Sequence, residues 1–333
     1  MQTVCENYTR QFTQRWKTAM NANTRISVLD LSSPDTLVKS DAARYFSEST
    51  SECGFIYIRY SPANTSTVNA IRRQQRLFFQ QSSEAKVAIS IDTNNRGYLG
   101  PGEALMAGAK RADQKEVFFW GREADDKDPD YVAGAPLCGP NQWPTVFTEF
   151  RSVVEDYSRF IEKTGTLLME IIALALGREQ HFFKPFYERT MLRGQLLRYP
   201  PTENHPEQFG VAPHSDFGCI TLLLQETEGL EVQFPDGQWV EAPPMENTLV
   251  VNIGDLLERW SNRRLPSTKH RVRNRGTEAR YSIAMFYDPS PLAIVDPSDL
   301  LPDEAPEFEP IGAADYILSR NKMSFAHYKK GAV

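Results

Sequence analysis

His214-Ser215-Asp216 and, further along the chain, His270 supply two imidazoles and one carboxylate. That ligand set holds ferrous iron on one face and leaves the opposite positions open for oxygen and substrate. Side chains two apart in a strand point to the same face, so His214 and Asp216 can reach one ion together. His270 must then arrive from a different strand. Taken alone, His-x-Asp also reads as a surface hydrogen bond with His270 unrelated to it, and both readings stay open here. His181, His205 and His327 have no carboxylate partner at ligand spacing and read as solvated or locally hydrogen-bonded.

Ten positions past His270 comes Arg280-Tyr281-Ser282. With strand alternation from 280 to 287, Arg280, Ser282, Ala284 and Phe286 share one face. Tyr281, Ile283, Met285 and Tyr287 share the other. A guanidinium can grip a carboxylate in bidentate fashion, the hydroxyl adds a donor, and Ala284 leaves room. Together they describe a slot for an anion. The competing reading makes Arg280 one half of a structural ion pair.

Elements on both sides must position these groups. Ile26 to Leu31 alternates apolar and polar residues and runs into Ser32-Ser33-Pro34-Asp35, a strand entering a turn. A helix is expected from about Leu37 to Thr50, and Gly54 to Tyr60 is a second strand rich in aromatic and β-branched residues. Thr65 to Gln81 has helical periodicity. Residues from about 90 to 147 carry glycine, proline and charge without a strong period and read as loops with short elements. Phe147 to Leu176 is an amphipathic helix with Gly177 at its exit. From Arg193 to Pro289 short strand-like segments alternate with turns such as Pro235-Asp236-Gly237, interrupted by a helical piece at Asp255 to Trp260. Regular strand spacing of this kind indicates a sandwich or barrel.

The chain has 333 residues with a net charge of −6, and no segment is basic enough to track nucleic-acid phosphates. No run of 18 or more apolar residues exists to span a membrane. The polar stretch Met1 to Asn21 lacks the apolar core of a secretory signal. Cys5, Cys53, Cys138 and Cys219 show no CxxC spacing, which speaks against a zinc knuckle or redox pair. Free thiols fit a reducing cytoplasm, which also keeps iron ferrous.

These residues resemble the iron(II)- and 2-oxoglutarate-dependent oxygenases of the isopenicillin N synthase-like family. Besides His-x-Asp, the distant His and Arg-x-Ser, ordered matches run along most of the chain. They include Gly54-Phe55-Ile56-Tyr57, Phe78-Phe79 with Lys86, Arg96-Gly97-Tyr98, Lys115-Glu116 and Asn141-x-Trp143-Pro144. Thr221 to Gln225, Asn252-Ile253-Gly254-Asp255 and His270-Arg271-Val272 continue the series. The resemblance implies a mixed α/β chain with a double-stranded β-helix (jelly-roll) core flanked by helices. It implies residues 1–190 as an N-terminal mixed region packing on the core, 191–295 as the catalytic jelly roll and 296–333 as a C-terminal helical segment, all one unit.

The same resemblance implies His214, Asp216 and His270 as ligands of Fe(II), and Arg280 and Ser282 as partners of the distal carboxylate of 2-oxoglutarate. Tyr199 matches an assisting tyrosine, although Leu197-Arg198-Tyr199-Pro200 departs from the Asn-Tyr-Tyr-Pro of plant members. O2 is the implied co-substrate, and the implied reaction oxidises a C–H bond of a small molecule by hydroxylation, desaturation or ring closure. Arg96, Tyr98 and Phe286 are expected on the substrate side of the iron, with walls drawn from about 96–122 and 312–328. A monomer or homodimer without nucleic-acid or membrane partners is expected. Three alternatives remain: an iron oxidase of the isopenicillin N synthase type that does not consume 2-oxoglutarate, a zinc-type hydrolase, and a non-catalytic binding protein on the same fold. The hydrolase lacks its usual His-Glu-x-x-His helix.

Overall fold

Alternating apolar residues on successive strands force two sheets to face each other across a shared interior. The computed structural model describes residues 24–106, 109–145, 147–201, 207–325 and 328. Cys5, His205 and His327 lie outside them. The strands are β1 (Val28–Asp30), β2 (Phe55–Arg59), β3 (Gly97–Leu99), β4 (Glu116–Gly121), β5 (Met191–Tyr199) and β6 (Val211–His214). They continue with β7 (Ile220–Gln225), β8 (Leu230–Gln233), β9 (Trp239–Glu241), β10 (Thr248–Ile253), β11 (His270–Val272) and β12 (Arg280–Asp288).

An eight-stranded sheet in the order β1-β2-β10-β7-β12-β5-β4-β3 faces a four-stranded sheet in the order β6-β11-β8-β9. The β10-β7-β12-β5 half and the four-stranded sheet are the two walls of a jelly roll. On β12 the expected alternation holds: Ile283, Met285 and Tyr287 pack into the helix-side core. Ala284 and Phe286 turn to the interior between the sheets, with Val232, Val250 and Val272.

Helices cover the outer face of the large sheet. They are α1 (Lys39–Thr50), α2 (Thr65–Phe79) and the 26-residue α3 (Phe150–Ala175). The stripe Phe150, Val154, Tyr157, Ile161, Leu168 and Ile172 is buried against the sheet, while Val153 and Leu167 are only partly buried. Gly165 lets α3 lie directly on the strands, because a Cβ there would stand 2.6 Å from the ring of Tyr287. A short α4 (Asp255–Trp260) follows β10, and α5 (Ala313–Ser324) is the last helix among the described residues.

The segment expected to be mostly loop holds more order than its composition suggested. Glu116–Gly121 is a six-residue strand bonded along β5, and Gly97–Leu99 forms the sheet edge beside it. Its run Val117-Phe118-Phe119-Trp120 is buried on both faces, and such a strand shows no alternation. The first 190 residues therefore supply four strands of the large sheet, two on each edge, and share that sheet with the core. Among the described residues no helix is long and apolar enough to cross a membrane.

Candidate active site

His214 ends β6, and His270 opens β11 directly opposite it in register. The cross-strand pair brings the two ring centroids to 4.3 Å. Asp216, in the turn after β6, completes the group. Each histidine Nε2 lies 3.7 Å from its Oδ1, and the three ligand atoms fall within 4.8 Å of one another. The other ring nitrogens are occupied: Nδ1 of His214 lies 2.8 Å from the Ala212 carbonyl and Nδ1 of His270 3.2 Å from that of Thr268. Those bonds fix the tautomer that leaves Nε2 free for a metal. Phe55 stands edge-on to the His270 ring at 5.4 Å.

The carboxylate is oriented just as firmly. Its Oδ2 accepts from Thr221 Oγ1 at 2.6 Å and from Asn252 Nδ2 at 2.8 Å, which turns Oδ1 to the histidines. The turn itself rests on the start of α4. Asp255 N–H donates to the Asp216 carbonyl at 2.7 Å, and Gly254 N–H to that of Cys219 at 2.9 Å. A Cβ on Gly254 would meet the Gly218 carbonyl at 2.3 Å, so only glycine allows this approach.

Burial pushes the His214 imidazole down to about 3, and the neighbouring His270 imidazole adds to the effect. Burial alone would raise Asp216, but the two imidazoles and its hydrogen bonds outweigh it and hold the carboxyl below its ordinary value. A neutral ring and an ionised carboxylate are the forms that ligate a cation. The donor set and its orientation fit Fe(II).

Asn252→Ala removes one of the two groups that steer Asp216. Partners of this kind are worth about 10- to 100-fold in metal affinity, so iron should bind more weakly by that factor. An Fe(II) titration followed by oxygen uptake measures it, and unchanged affinity would assign the orientation to Thr221 alone.

Arg280 is fully buried. Its Nε donates to the Glu228 carbonyl at 3.0 Å, Nη2 to Gln225 Oε1 at 3.2 Å and Nη1 to Ser282 Oγ at 3.3 Å. Ser282 in turn donates to Tyr199 OH at 3.4 Å, and the Tyr199 ring lies 5.0 Å from the guanidinium carbon. Gln225 keeps its orientation by donating Nε2 to the Ala242 carbonyl at 2.7 Å. Burial lowers the Arg280 pKa, yet an arginine keeps its charge. Tyr199, His214, Asp216, His270, Ala284 and Phe286 all line one cavity between the sheets; Arg280 and Ser282 are not on that lining but contact Tyr199, which is.

Arg96 and Tyr98 are not among the residues lining that cavity. Arg96 is fully buried, and its guanidinium donates to the carbonyls of Asn94 at 2.8 Å and Leu137 at 3.0 Å, clasping two loops. The residue brought to the cavity is its neighbour Asn95, whose φ of +59° is a left-handed conformation asparagine tolerates. Tyr98 donates to Glu116 Oε2 at 2.9 Å. The same carboxylate takes Lys86 at 2.6 Å and pairs with Arg198, so Tyr98 belongs to a buried structural network.

Lys115, Met106, Asn321 and Phe325 reach the cavity from the two expected wall segments. Arg193 and Gln195 were missed, although counting back by twos from Tyr199 along β5 places both on its face.

Residues 26–146 match the N-terminal family described as that of a non-haem dioxygenase in morphine synthesis, and 191–289 match the 2OG-Fe(II) oxygenase superfamily. A 2-oxoglutarate-Fe(II) type oxidoreductase, hxnY of Emericella nidulans, is 34% identical over 76% of this chain and 77% of its own. The chain belongs to the iron(II)- and 2-oxoglutarate-dependent oxygenases. The 2-oxoglutarate-dependent dioxygenase thnC of Trichoderma harzianum is 30% identical over 92% of this chain and 96% of its own. A full-length Neurospora crassa protein, solved in complex with alpha-KG, superimposes with a TM-score of 0.78 at 29% identity, covering 91% of this chain and 98% of that one.

The oxygenase therefore uses Fe(II), 2-oxoglutarate and O2 on a jelly-roll core, with a small-molecule metabolite as substrate. These matches do not favour the 2-oxoglutarate-independent oxidase or the non-catalytic alternative.

Proposed function

We propose that His214 and His270 through Nε2, and Asp216 through Oδ1, hold the ferrous ion, and that Arg280 with Ser282 and Tyr199 receives the distal carboxylate of 2-oxoglutarate. The observation that carries this reading is the orientation of the three ligand atoms, each fixed by a hydrogen bond on its far side. The bound iron supplies oxygen activation coupled to decarboxylation of the 2-oxo acid. The protein orients the carboxylate ligand, excludes water and presents a substrate C–H bond for hydroxylation, desaturation or cyclisation. All these groups come from one chain, so a monomer suffices and a homodimer is compatible. Cys53, Cys138 and Cys219 are free and buried, which supports a reducing compartment such as the cytoplasm.

Iron-loaded protein should consume O2 and 2-oxoglutarate and release succinate and CO2 in equal amounts. Oxygen uptake that does not depend on 2-oxoglutarate would instead indicate an oxidase of the isopenicillin N synthase type. Phe286, on the cavity face, is proposed to contact substrate. Phe286→Ala should change substrate affinity or product distribution while 2-oxoglutarate turnover without substrate persists. Pure core loss would instead appear as about 3–5 kcal/mol of lost stability in a thermal melt.

A further inference from the structure

Alternate residues of β5 and β12 build the cavity wall beyond the iron ligands. Arg193 pairs in register with Phe286, and Gln195 with Ala284; all four line the cavity. The Arg193 guanidinium carbon lies 5.0 Å from the Phe286 ring centroid, so a flat cation and a flat apolar face form one corner. Arg193 donates through Nη2 to Asp288 Oδ2 at 2.7 Å. Its Nε is buried without a partner among the described residues, and the bond to Asp288 uses only Nη2, which leaves Nη1 of the cavity-lining guanidinium for a ligand.

Charge compensation narrows what that ligand can be. Asp288 is completely buried, and its Oδ1 accepts from Cys219 N–H at 2.7 Å, so the Arg193 charge is already balanced inside the protein. Lys115, the other cation on the lining, pairs with buried Asp113 at 3.2 Å. On the metal side, Fe(II) and Arg280 together balance Asp216 and the dianionic co-substrate. A substrate carboxylate would therefore bring unpaired negative charge into a buried site, which is strongly unfavourable. A neutral carbonyl oxygen can accept from an arginine already paired to Asp288 without that cost. Flat rings also stack well on both guanidinium and phenyl faces.

We propose that Arg193 and Phe286 select an uncharged, planar substrate bearing a carbonyl group, the ring lying on Phe286 and the carbonyl accepting from the Arg193 fork. Gln195 offers both an amide donor and an acceptor to the remaining polar edge. This rests on the oxygenase reading above and names the substrate class of that same cavity.

The test uses the iron-loaded full chain with coumarin, 2-quinolone and benzamide, each against the carboxylate of the same ring. Binding is read by ligand NMR line broadening with 2-oxoglutarate present, and coupling by substrate-stimulated succinate release. The uncharged members should bind at about tenfold lower concentration than their carboxylates or better. Arg193→Met should weaken the neutral ligands by about tenfold or more, while the carboxylates, now facing an uncompensated Asp288, stay excluded. Iron content should stay at the wild-type level.

Asp288→Asn uncovers the Arg193 charge and should shift preference toward the carboxylates, with a thermal melt confirming that the variant folds. Arg193→Lys keeps the charge without the flat fork and should recover little of the neutral binding. The proposal is overturned if no uncharged compound binds ahead of its carboxylate, or if Arg193→Met leaves the affinity for the neutral ligands unchanged. Loss of substrate-free succinate release in the wild-type protein is a separate result that would instead count against the oxygenase reading.

Discussion

Replacing any one of His214, Asp216 or His270 by alanine is expected to remove tightly bound iron and nearly all turnover. Each is one of the three proposed ligands, whose atoms converge within 4.8 Å among the described residues. Outer partners of metal ligands are typically worth about 10- to 100-fold in affinity, and a ligand itself should exceed that. The depressed proton affinity of buried His214, near 3, means that protons do not compete for this ring at neutral pH. For His214→Ala the effect is therefore loss of a ligand. A colorimetric iron assay beside oxygen uptake checks the result. His181→Ala is the control, since that ring is exposed and faces Glu170 at 3.3 Å. A triad variant that keeps wild-type iron content would sink the assignment.

The centre was legible because its chemistry needs particular residue types at strand spacing. His-x-Asp puts two ligands on one strand end by alternation alone, and the same rule sorted β12 into a polar cavity face and an apolar helix face. What alternation cannot supply is the partner strand. That His270 sits opposite His214 is set by the path through β7 to β10, which no local pattern states. The strand β4 escaped notice because burial on both faces erases the period that reveals half-buried strands.

Loop residues failed for a different reason. Arg96 carries the charge that suggests a ligand-binding role, but one left-handed residue beside it turns Asn95 into the cavity and Arg96 into the loop. Which of the two neighbours reaches the cavity is set by the backbone of this turn, and sequence spacing does not encode it. Asn252 and Thr221 illustrate a third case. They stand in register on β10 and β7, so their convergence on Asp216 is a property of the sheet.

Arg280→Leu should weaken use of 2-oxoglutarate by about 10- to 150-fold while leaving iron bound. A charge-assisted hydrogen bond contributes about 1.5–3 kcal/mol, and each 1.4 kcal/mol corresponds to about tenfold in affinity. The guanidinium is held from behind by the Glu228 carbonyl and Gln225, so little ordering remains when a carboxylate arrives. Leucine would also leave Gln225 Oε1 without its donor, and a thermal melt separates that stability cost from lost affinity. Arg280→Lys retains the charge but not the fork, and should fall between wild type and leucine. Ser282→Ala and Tyr199→Phe each remove one neutral hydroxyl, so each should cost only about 0.5–1.5 kcal/mol. Titrating 2-oxoglutarate against oxygen uptake at saturating iron gives the ordering directly. An Arg280→Leu enzyme with wild-type apparent affinity, still folded and still holding iron, would move the co-substrate to another cation. Arg193 and Lys115, on the lining of the same cavity, would then be the residues to replace next.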